Sequence, residues 1–304
     1  MRSSRSSGRR GSMRNIFAMV TVALLVLLAA SQTMAFTPFI DGFESRNNGK
    51  LDGQPGWFCF YGCSGTNAVV TSGKYTSTTF PNGVNPHSGN KMIKGYVDGA
   101  ADYDQIGVDL TYRVGGGTQL AGNFIADWWF YDPVGAANAN CKDYVALDLY
   151  TSGVPTDSDP PGGGTNSSLV QRASLGMSSN TSTGFDYHKY QARVVNDTGG
   201  YAQGWYNLNI TRSVGWHEAR IVVSAPLADG SNTLSYYIDN MTTPLLVKNS
   251  ITKGGFNILE LNLSSGTITT FYDDFSITEL PEPSALLALG TGLVGLLGLT
   301  RRRR

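Results

Sequence analysis

The chain has 304 residues with 23 basic and 23 acidic side chains, and the basic residues are concentrated at its two ends. Between Phe36 and Leu280 it carries 14 Lys+Arg and 22 Asp+Glu, a formal charge of 14 − 22 = −8. This acidic middle excludes a general nucleic-acid-binding protein, because no surplus positive charge is available to displace counterions from phosphates. A content of 37 Gly with only 15% charged residues also excludes a helical bundle and a charged disordered chain.

Residues 1–35 are typical of a secretory signal peptide. Basic residues up to Arg14 precede an apolar run over 16–30, and the small residues near Ala35 suit signal peptidase. Met13 is a candidate true start, because a segment beginning there has the usual signal length. The apolar run is short for a membrane span, which favours cleavage near Ala35 over an uncleaved anchor. The sequence therefore predicts export.

Residues 36–280 are predicted to form one all-β domain. Short runs of alternating apolar and polar residues, rich in β-branched and aromatic side chains, are separated by Gly, Asn, Asp, Ser and Pro. This pattern is typical of a β-sandwich or jelly roll. Strands are predicted at 105–114, 124–131, 144–150, 188–195, 216–223, 233–238, 256–263 and 267–277, with a long loop over 151–168.

Three cysteines lie in this body, Cys59, Cys63 and Cys141. Export to an oxidising compartment favours a disulfide. The local pairing is Cys59–Cys63, and pairing of either residue with Cys141 stays open.

Alternation in the strands separates an apolar face from a face that mixes aromatic and charged side chains. In 124–131, Trp128 falls on the apolar face and Trp129 on the other, because neighbouring strand residues point to opposite sides. If the mixed faces share one sheet, they line a groove in which sugars stack on aromatic rings and hydrogen-bond to charged groups. The alternative is an ordinary solvated surface. The candidate glycan-binding residues are Asp127, Trp129, Tyr131, Asp148, Tyr150, Arg193, Glu218 and Arg220.

No complete catalytic motif is present. A glycosidase needs two carboxylates flanking the scissile bond, and the body's Glu44, Glu218 and Glu260 lie on widely separated segments. The sequence has no Gly-x-Ser-x-Gly elbow, and its three histidines lack metal-ligand spacing. A non-enzymatic protein is therefore favoured, with a carbohydrate-active hydrolase or lyase and a purely structural matrix protein as alternatives.

Two segments of the body carry resemblances to known folds. Residues 216–223 followed by 234–240 resemble the late hairpin of concanavalin A-like (laminin G-like) jelly rolls, and the body's length suits that fold. The start at 41–44 and the end at 272–277 look similar to galactose-binding-like modules. Both imply a jelly roll. The second also implies a structural Ca²⁺ held by acids of the first and last strands, and the alternative is solvated acids at strand ends. The matching positions are Asp41, Glu44, Asp273 and Asp274.

The C-terminus combines three features in a fixed order. Pro281, Glu282 and Pro283 precede an uncharged segment, 284–300, which as a helix reaches about 25 Å and just spans a thin bilayer. The chain then closes with an arginine cluster that would stay in the cytoplasm, formed by Arg301, Arg302, Arg303 and Arg304.

This order over 281–304 closely resembles the PEP-CTERM sorting signal of Gram-negative bacteria. The resemblance implies recognition and cleavage near Pro-Glu-Pro by the membrane protease exosortase, and delivery to the surface or matrix alongside exopolysaccharide. The alternative is a plain tail anchor.

The expectation is thus an exported protein, transiently anchored in the membrane, that carries a lectin-like sandwich. Its expected partners are signal peptidase, exosortase and polysaccharide, with no nucleic acid and no required cofactor beyond a candidate structural Ca²⁺.

Overall fold

The computed structural model describes residues 36–61, 68–95, 103–115, 119–137, 143–150, 169–177, 186–195, 204–250, 254–264 and 268–280. By internal contacts the chain divides into residues 1–36, of which only Phe36 is described, and residues 37–304, which contain every described strand. The predicted signal peptide, the 151–168 loop and the 281–304 tail lie outside the described residues. In the described part of the chain, no helix is both long and apolar enough to cross a membrane.

The described residues are almost entirely β-structure. A single helical turn at Leu110–Arg113 and a short 3₁₀ turn at Gly135–Ala137 interrupt it. In chain order the strands are β1 (Phe39–Asp41), β2 (Gly49–Lys50), β3 (Trp57–Tyr61), β4 (Ala68–Ser72), β5 (Lys91–Gly95), β6 (Tyr103–Asp109), β7 (Phe124–Asp132), β8 (Asp143–Tyr150), β9 (Leu169–Gly176), β10 (Lys189–Val195), β11 (Trp205–Thr211), β12 (Gly215–Val223), β13 (Thr233–Ile238), β14 (Leu246–Asn249), β15 (Ile258–Ser264) and β16 (Thr270–Glu279).

These strands form two antiparallel sheets. Sheet I has the order β14-β13-β12-β7-β16-β5-β4-β2, with β1 also paired to β16. Sheet II has the order β11-β10-β9-β8-β15-β6-β3. Neighbours in both sheets come from distant parts of the chain, as when β8 pairs with β15.

The core lies between the two sheets. Alternate residues of β7 are buried, and Trp128 is only 1% exposed, as the alternation predicts. Across the interface Phe130 of sheet I meets Tyr190 of sheet II at 5.4 Å between ring centroids. The Tyr236 hydroxyl donates to the Arg193 carbonyl, 3.0 Å away. The predicted all-β sandwich is confirmed, and the choice between jelly-roll superfamilies stays a prediction.

One predicted strand ends early. The pattern predicts a strand over 105–114, but β6 ends at Asp109 and Leu110–Arg113 turn into a helix. Asp109 explains the change, because its side chain accepts a hydrogen bond from the Thr111 N–H at 2.9 Å and so caps the turn.

The last strand, β16, changes its partner halfway along one edge. It pairs with β5 over Thr270–Tyr272 and with β1 over Phe275–Ile277, while β7 pairs along its other edge. A bulge separates the two halves, and Asp274 there has a φ of 50°. Asp273 and Asp274 therefore lie where three strands meet.

The end of β16 is fixed to the strand beside it. The Leu280 N–H donates to the Asn123 carbonyl at 2.8 Å, and the Asn123 side-chain amide donates to the Leu280 carbonyl at 2.9 Å. Both backbone groups of the last described residue are thus bound just ahead of β7.

Candidate functional site

Five of the eight candidate glycan-binding residues lie together on the outer face of sheet I. In the β7–β12 ladder Asp127 is opposite Arg220, and Trp129 is opposite Glu218. Residues directly opposite each other on antiparallel strands point to the same side of the sheet. Tyr131, two residues beyond Trp129, completes the set. We call Asp127, Trp129, Glu218, Arg220 and the adjacent Tyr237 of β13 the sheet I row.

Arg220 links the charged side chains of this row. Its Nε lies 2.5 Å and its Nη2 3.1 Å from the two Asp127 carboxylate oxygens, and Nη2 lies 3.7 Å from Glu218. Burial raises the pKa of both carboxyl groups, and Arg220 opposes that rise. The three side chains remain between 20% and 28% exposed, so a ligand in solvent can reach them.

The 73–90 loop covers one end of this face. Its Phe80 and Val84 pack with Met92 and Phe271 in an apolar cluster, against which Tyr131 and Trp216 also lie. Tyr131 is thus a packing residue rather than part of an open groove.

The same loop also reaches Trp129. The His87 ring stacks on the Trp129 indole at 3.6 Å between centroids and 14° between planes. Trp129 therefore has one ring face already covered, where the sequence predicts an open platform.

Three of the four acids predicted to bind calcium hold this loop in place. Asp273 accepts the N–H groups of His87 and Ser88 at 3.0 and 3.2 Å. Asp274 lies 2.7 Å from the His87 Nδ1 and accepts the Ser88 hydroxyl at 2.7 Å. Glu44 accepts two more backbone N–H groups from the end of the loop, at residues 90 and 91.

Each of the four acids predicted to bind calcium accepts hydrogen bonds from the protein. The Asp41 carboxylate is paired with Arg46 and also accepts the Trp57 Nε1–H at 2.8 Å, and its role as a calcium ligand stays a prediction. Both carboxylate oxygens of Asp273 and of Asp274 have hydrogen-bond partners, and Glu44 accepts two N–H groups on Oε1, so a structural Ca²⁺ at these acids stays a prediction. Within the described ranges, no three His, Cys, Asp or Glu side chains are grouped as metal ligands.

The other three candidates, Asp148, Tyr150 and Arg193, lie on sheet II, not beside Trp129. All three are at most 2% exposed, where the sequence predicts an accessible groove. Every residue of β8 is buried, so alternation along this strand does not distinguish a core face from a solvent face. The eight residues are therefore split between two sheets.

Asp148 belongs to a buried ion cluster that the sequence does not reveal. Arg172 donates from Nε and Nη2 to both Asp148 oxygens at 2.8 Å, and from Nη2 to Glu260 at 2.7 Å. Asn262 donates to the other Glu260 oxygen at 2.9 Å. Burial raises the pKa of Glu260 well above its usual range, Arg172 opposes this, and nearby Asp148 adds to it.

A Ser-His-Asp contact occurs at one end of β12. The His217 Nδ1 lies 2.8 Å from Asp239, and its Nε2 lies 3.4 Å from the Ser213 hydroxyl. However, Nε2 is closer, at 2.9 Å, to the Ser213 carbonyl oxygen, which can only accept a hydrogen bond. Nε2 therefore carries a proton in this geometry and cannot take one from the serine, as a catalytic triad requires.

Cys59 is disulfide-bonded. Its two candidate partners, Cys63 and Cys141, lie outside the described residues, so the pairing Cys59–Cys63 stays a prediction.

Comparison with known proteins assigns no family: no family model and no curated protein matches the sequence. Among solved structures, the VIP36 exoplasmic/lumenal domain in its Ca²⁺/Man-bound form is 9% identical, with a TM-score of 0.42 over 71% of this chain and 84% of that one. A Bacillus subtilis protein of unknown function with a galectin-like fold is 12% identical, with a TM-score of 0.39 over 69% and 88%. The carbohydrate esterase vb_24B_21 of bacteriophage phi24B is 13% identical, with a TM-score of 0.38 over 70% and 89%. Likenesses this distant assign neither a ligand nor an activity to the chain.

Proposed function

We propose that this chain is an exported protein of the cell surface or extracellular matrix, whose sandwich binds polysaccharide without cleaving it. The observation that carries the binding proposal is the accessible Arg220, held between Asp127 and Glu218 beside the Trp129 indole. A sugar hydroxyl both donates and accepts hydrogen bonds, so an alternating acid–base–acid row offers partners to successive hydroxyls.

The shape of the sheet I row favours a polymer over a single sugar. The row crosses three neighbouring strands, β7, β12 and β13, which at about 4.8 Å per strand gives about 10 Å between the outer two. The 73–90 loop bounds the row at one end, and the indole edge of Trp129 supplies an apolar contact for sugar C–H groups.

The pairing of Asp127 supports binding rather than hydrolysis. A glycosidase needs one carboxyl group to protonate the leaving oxygen and a second to act as base or nucleophile. Both oxygens of Asp127 are engaged by the Arg220 guanidinium, so this carboxylate is not free for either role.

The binding test is Arg220→Ala, with purified exopolysaccharide as the probe. We expect a loss of affinity of at least tenfold, because removing a charged hydrogen-bond partner costs about 1.5–3 kcal/mol. Lys50→Ala is the matched control, since it removes one exposed cation of the same sheet about 24 Å away, five strands from β12. Equal binding by both variants would contradict the proposal, and release of reducing ends by the wild type would replace it with hydrolysis.

The proposal that this protein is exported and sorted rests on the two ends of the sequence. The signal peptide of 1–35 and the Pro-Glu-Pro, apolar and arginine segments of 281–304 support export followed by exosortase processing. We expect the surface form to lack residues 284–304, which an intact-mass measurement of protein from the outer surface checks. Retention of Arg301–Arg304 in that fraction would indicate a plain tail anchor.

A further inference from the structure

A second line of side chains runs beside the sheet I row on the outer face of sheet I. Ile125 of β7 is opposite Val222 of β12, and each lies two residues from a member of the row, Asp127 or Arg220. Residues two apart on a strand point to the same side of the sheet, about 6.8 Å from each other. We call this line the apolar strip. In order across the sheet it contains Thr278, Ile125, Val222, Ser235 and Val247.

Solvent reaches the strip, and none of its five residues is charged. Val247 is 50% exposed, and Ile125 and Val222 are only partly buried. Ser235 and Thr278, also partly exposed, add small side chains between and beside them. Single exposed apolar residues are ordinary on a protein surface, whereas a contiguous set marks a binding surface. The strip therefore calls for a ligand.

The strip is long and narrow. It crosses five neighbouring strands, from β16 to β14, which at about 4.8 Å per strand gives about 19 Å between the outer two. The charged row borders it on one side. A polar line borders it on the other, where the Thr233 hydroxyl donates to the Asn249 Oδ1 at 3.4 Å. A stable protein interface covers about 800 Å² on each partner, so a strip one residue wide fits a single extended chain better than a protein.

The 73–90 loop directs the substituents of a chain on the row towards the strip. Trp129 and Ile125 lie two residues to either side of Asp127 on β7. On the Trp129 side the loop closes the face, because the His87 ring stacks on the indole. On the Ile125 side lies the strip, which is accessible. Groups that project sideways from a chain on the row therefore have room only over the strip.

We propose that the polysaccharide bound by the sheet I row carries methyl-bearing substituents, either O-acetyl esters or the 6-methyl groups of deoxy sugars, which lie on the apolar strip. This inference rests on the proposed function and adds the class of polymer. A hydroxyl or an ionic substituent over Ile125 and Val222 would lose hydrogen bonds to water without gaining a partner. A methyl group there removes apolar surface from water, which is favourable.

The test compares neutral polymers that differ in their methyl groups, by isothermal titration of the full chain. The first pair is O-acetylated glucomannan before and after removal of its esters with mild alkali. The second pair is a rhamnan and a mannan, with and without the 6-deoxy methyl group. We expect the methyl-bearing member of at least one pair to bind about fourfold more tightly for each methyl group buried. The pair that shows this preference identifies the source of the methyl group.

The variant Val222→Thr assigns the preference to the strip. It replaces one methyl group by a hydroxyl and keeps the branched shape that suits a strand. We expect it to weaken binding of the methyl-bearing polymer about fourfold and to leave its unmodified counterpart unchanged. Val69→Thr is the matched control, a partly exposed valine of β4 four strands from β12, and should keep the wild-type preference. Ile125→Thr replaces Val222→Thr if that variant does not fold.

Three results would overturn the inference. Exopolysaccharide binding that Arg220→Ala abolishes, without a preference within either pair, would overturn it and leave the proposed function standing. The absence of binding to every polymer would overturn both. A preference that survives in Val222→Thr and Ile125→Thr would place the methyl groups elsewhere. Sedimentation of the same proteins adds a fourth outcome, since a wild-type dimer that Val222→Thr dissociates would assign the strip to a second copy of the chain instead.

Discussion

The outer faces of the two sheets carry the same kind of ion pair in opposite surroundings. On sheet I, Arg220 and Asp127 are 23% and 20% exposed, and on sheet II, Arg172 and Asp148 are fully buried. In both pairs the guanidinium bonds to both carboxylate oxygens, at 2.5–3.1 Å and at 2.8 Å. The two pairs therefore have similar contact geometry and differ in their exposure to solvent. A pair near water contributes little to stability, whereas breaking a buried pair leaves charge that nothing solvates.

The largest expected effect tests this contrast directly. Arg172→Met should lower the free energy of unfolding by about 3–5 kcal/mol, because it leaves Asp148 and Glu260 buried without their cation. Arg220→Met, the same change at the partly exposed pair, should cost about 1 kcal/mol or less. Urea denaturation of both variants measures the difference. Similar losses would mean that the outer face of sheet II is open to solvent when the protein is in solution.

A smaller effect tests Asp273, a buried acid of sheet I. Burial raises the pKa of Asp273 to about 7, although the N–H groups of Ser88 and His87 lower it and Asp274 raises it further. The folded-state pKa of Asp273 lies above its ordinary value of 3.8. The free energy that protonated Asp273 contributes to folding is therefore complete below pH 3.8 and is lost as pH rises through about 7.

Relative to Asp273→Asn, which cannot titrate, the wild type should lose roughly 1–2 kcal/mol of unfolding free energy between pH 4 and pH 7, after allowance for solvent screening. Thermal or urea unfolding across that range checks this. A constant difference between the two proteins would show that Asp273 stays ionised, held by the N–H groups of His87 and Ser88.

Alternation in the sequence predicts strands well where one face is apolar and the other polar. β7, β12 and β13 lie within one residue of their predicted bounds, and their inner residues are buried. The sequence prediction misses β9, because Gln171, Arg172 and Ser174 interrupt its apolar run. These polar residues are buried nonetheless, since Arg172 is neutralised by acids from two other strands. A polar residue whose partner is distant in sequence looks like a surface residue.

It is harder to predict from the sequence which residues share a surface than which side of its strand each residue faces. Asp127 and Arg220 share a face because β7 pairs with β12, and Asp148 meets Glu260 because β8 pairs with β15. Neither pairing has a local signal, because the partners are 93 and 112 residues apart (220 − 127 and 260 − 148). The same limit hides the His87–Trp129 stack, which depends on how the 73–90 loop crosses sheet I.

The position of β16 has a mechanical consequence. This strand ends the described chain, yet it lies inside sheet I, paired with β7 along one edge and with β5 and β1 along the other. A pull on the chain at Leu280 would act along the strand, perpendicular to the ladder hydrogen bonds. Those bonds would then share the load in shear, and Asn123 would add two more at the point where the force enters. Drag on a body tethered through this end would be resisted by the whole β7–β16 ladder at once.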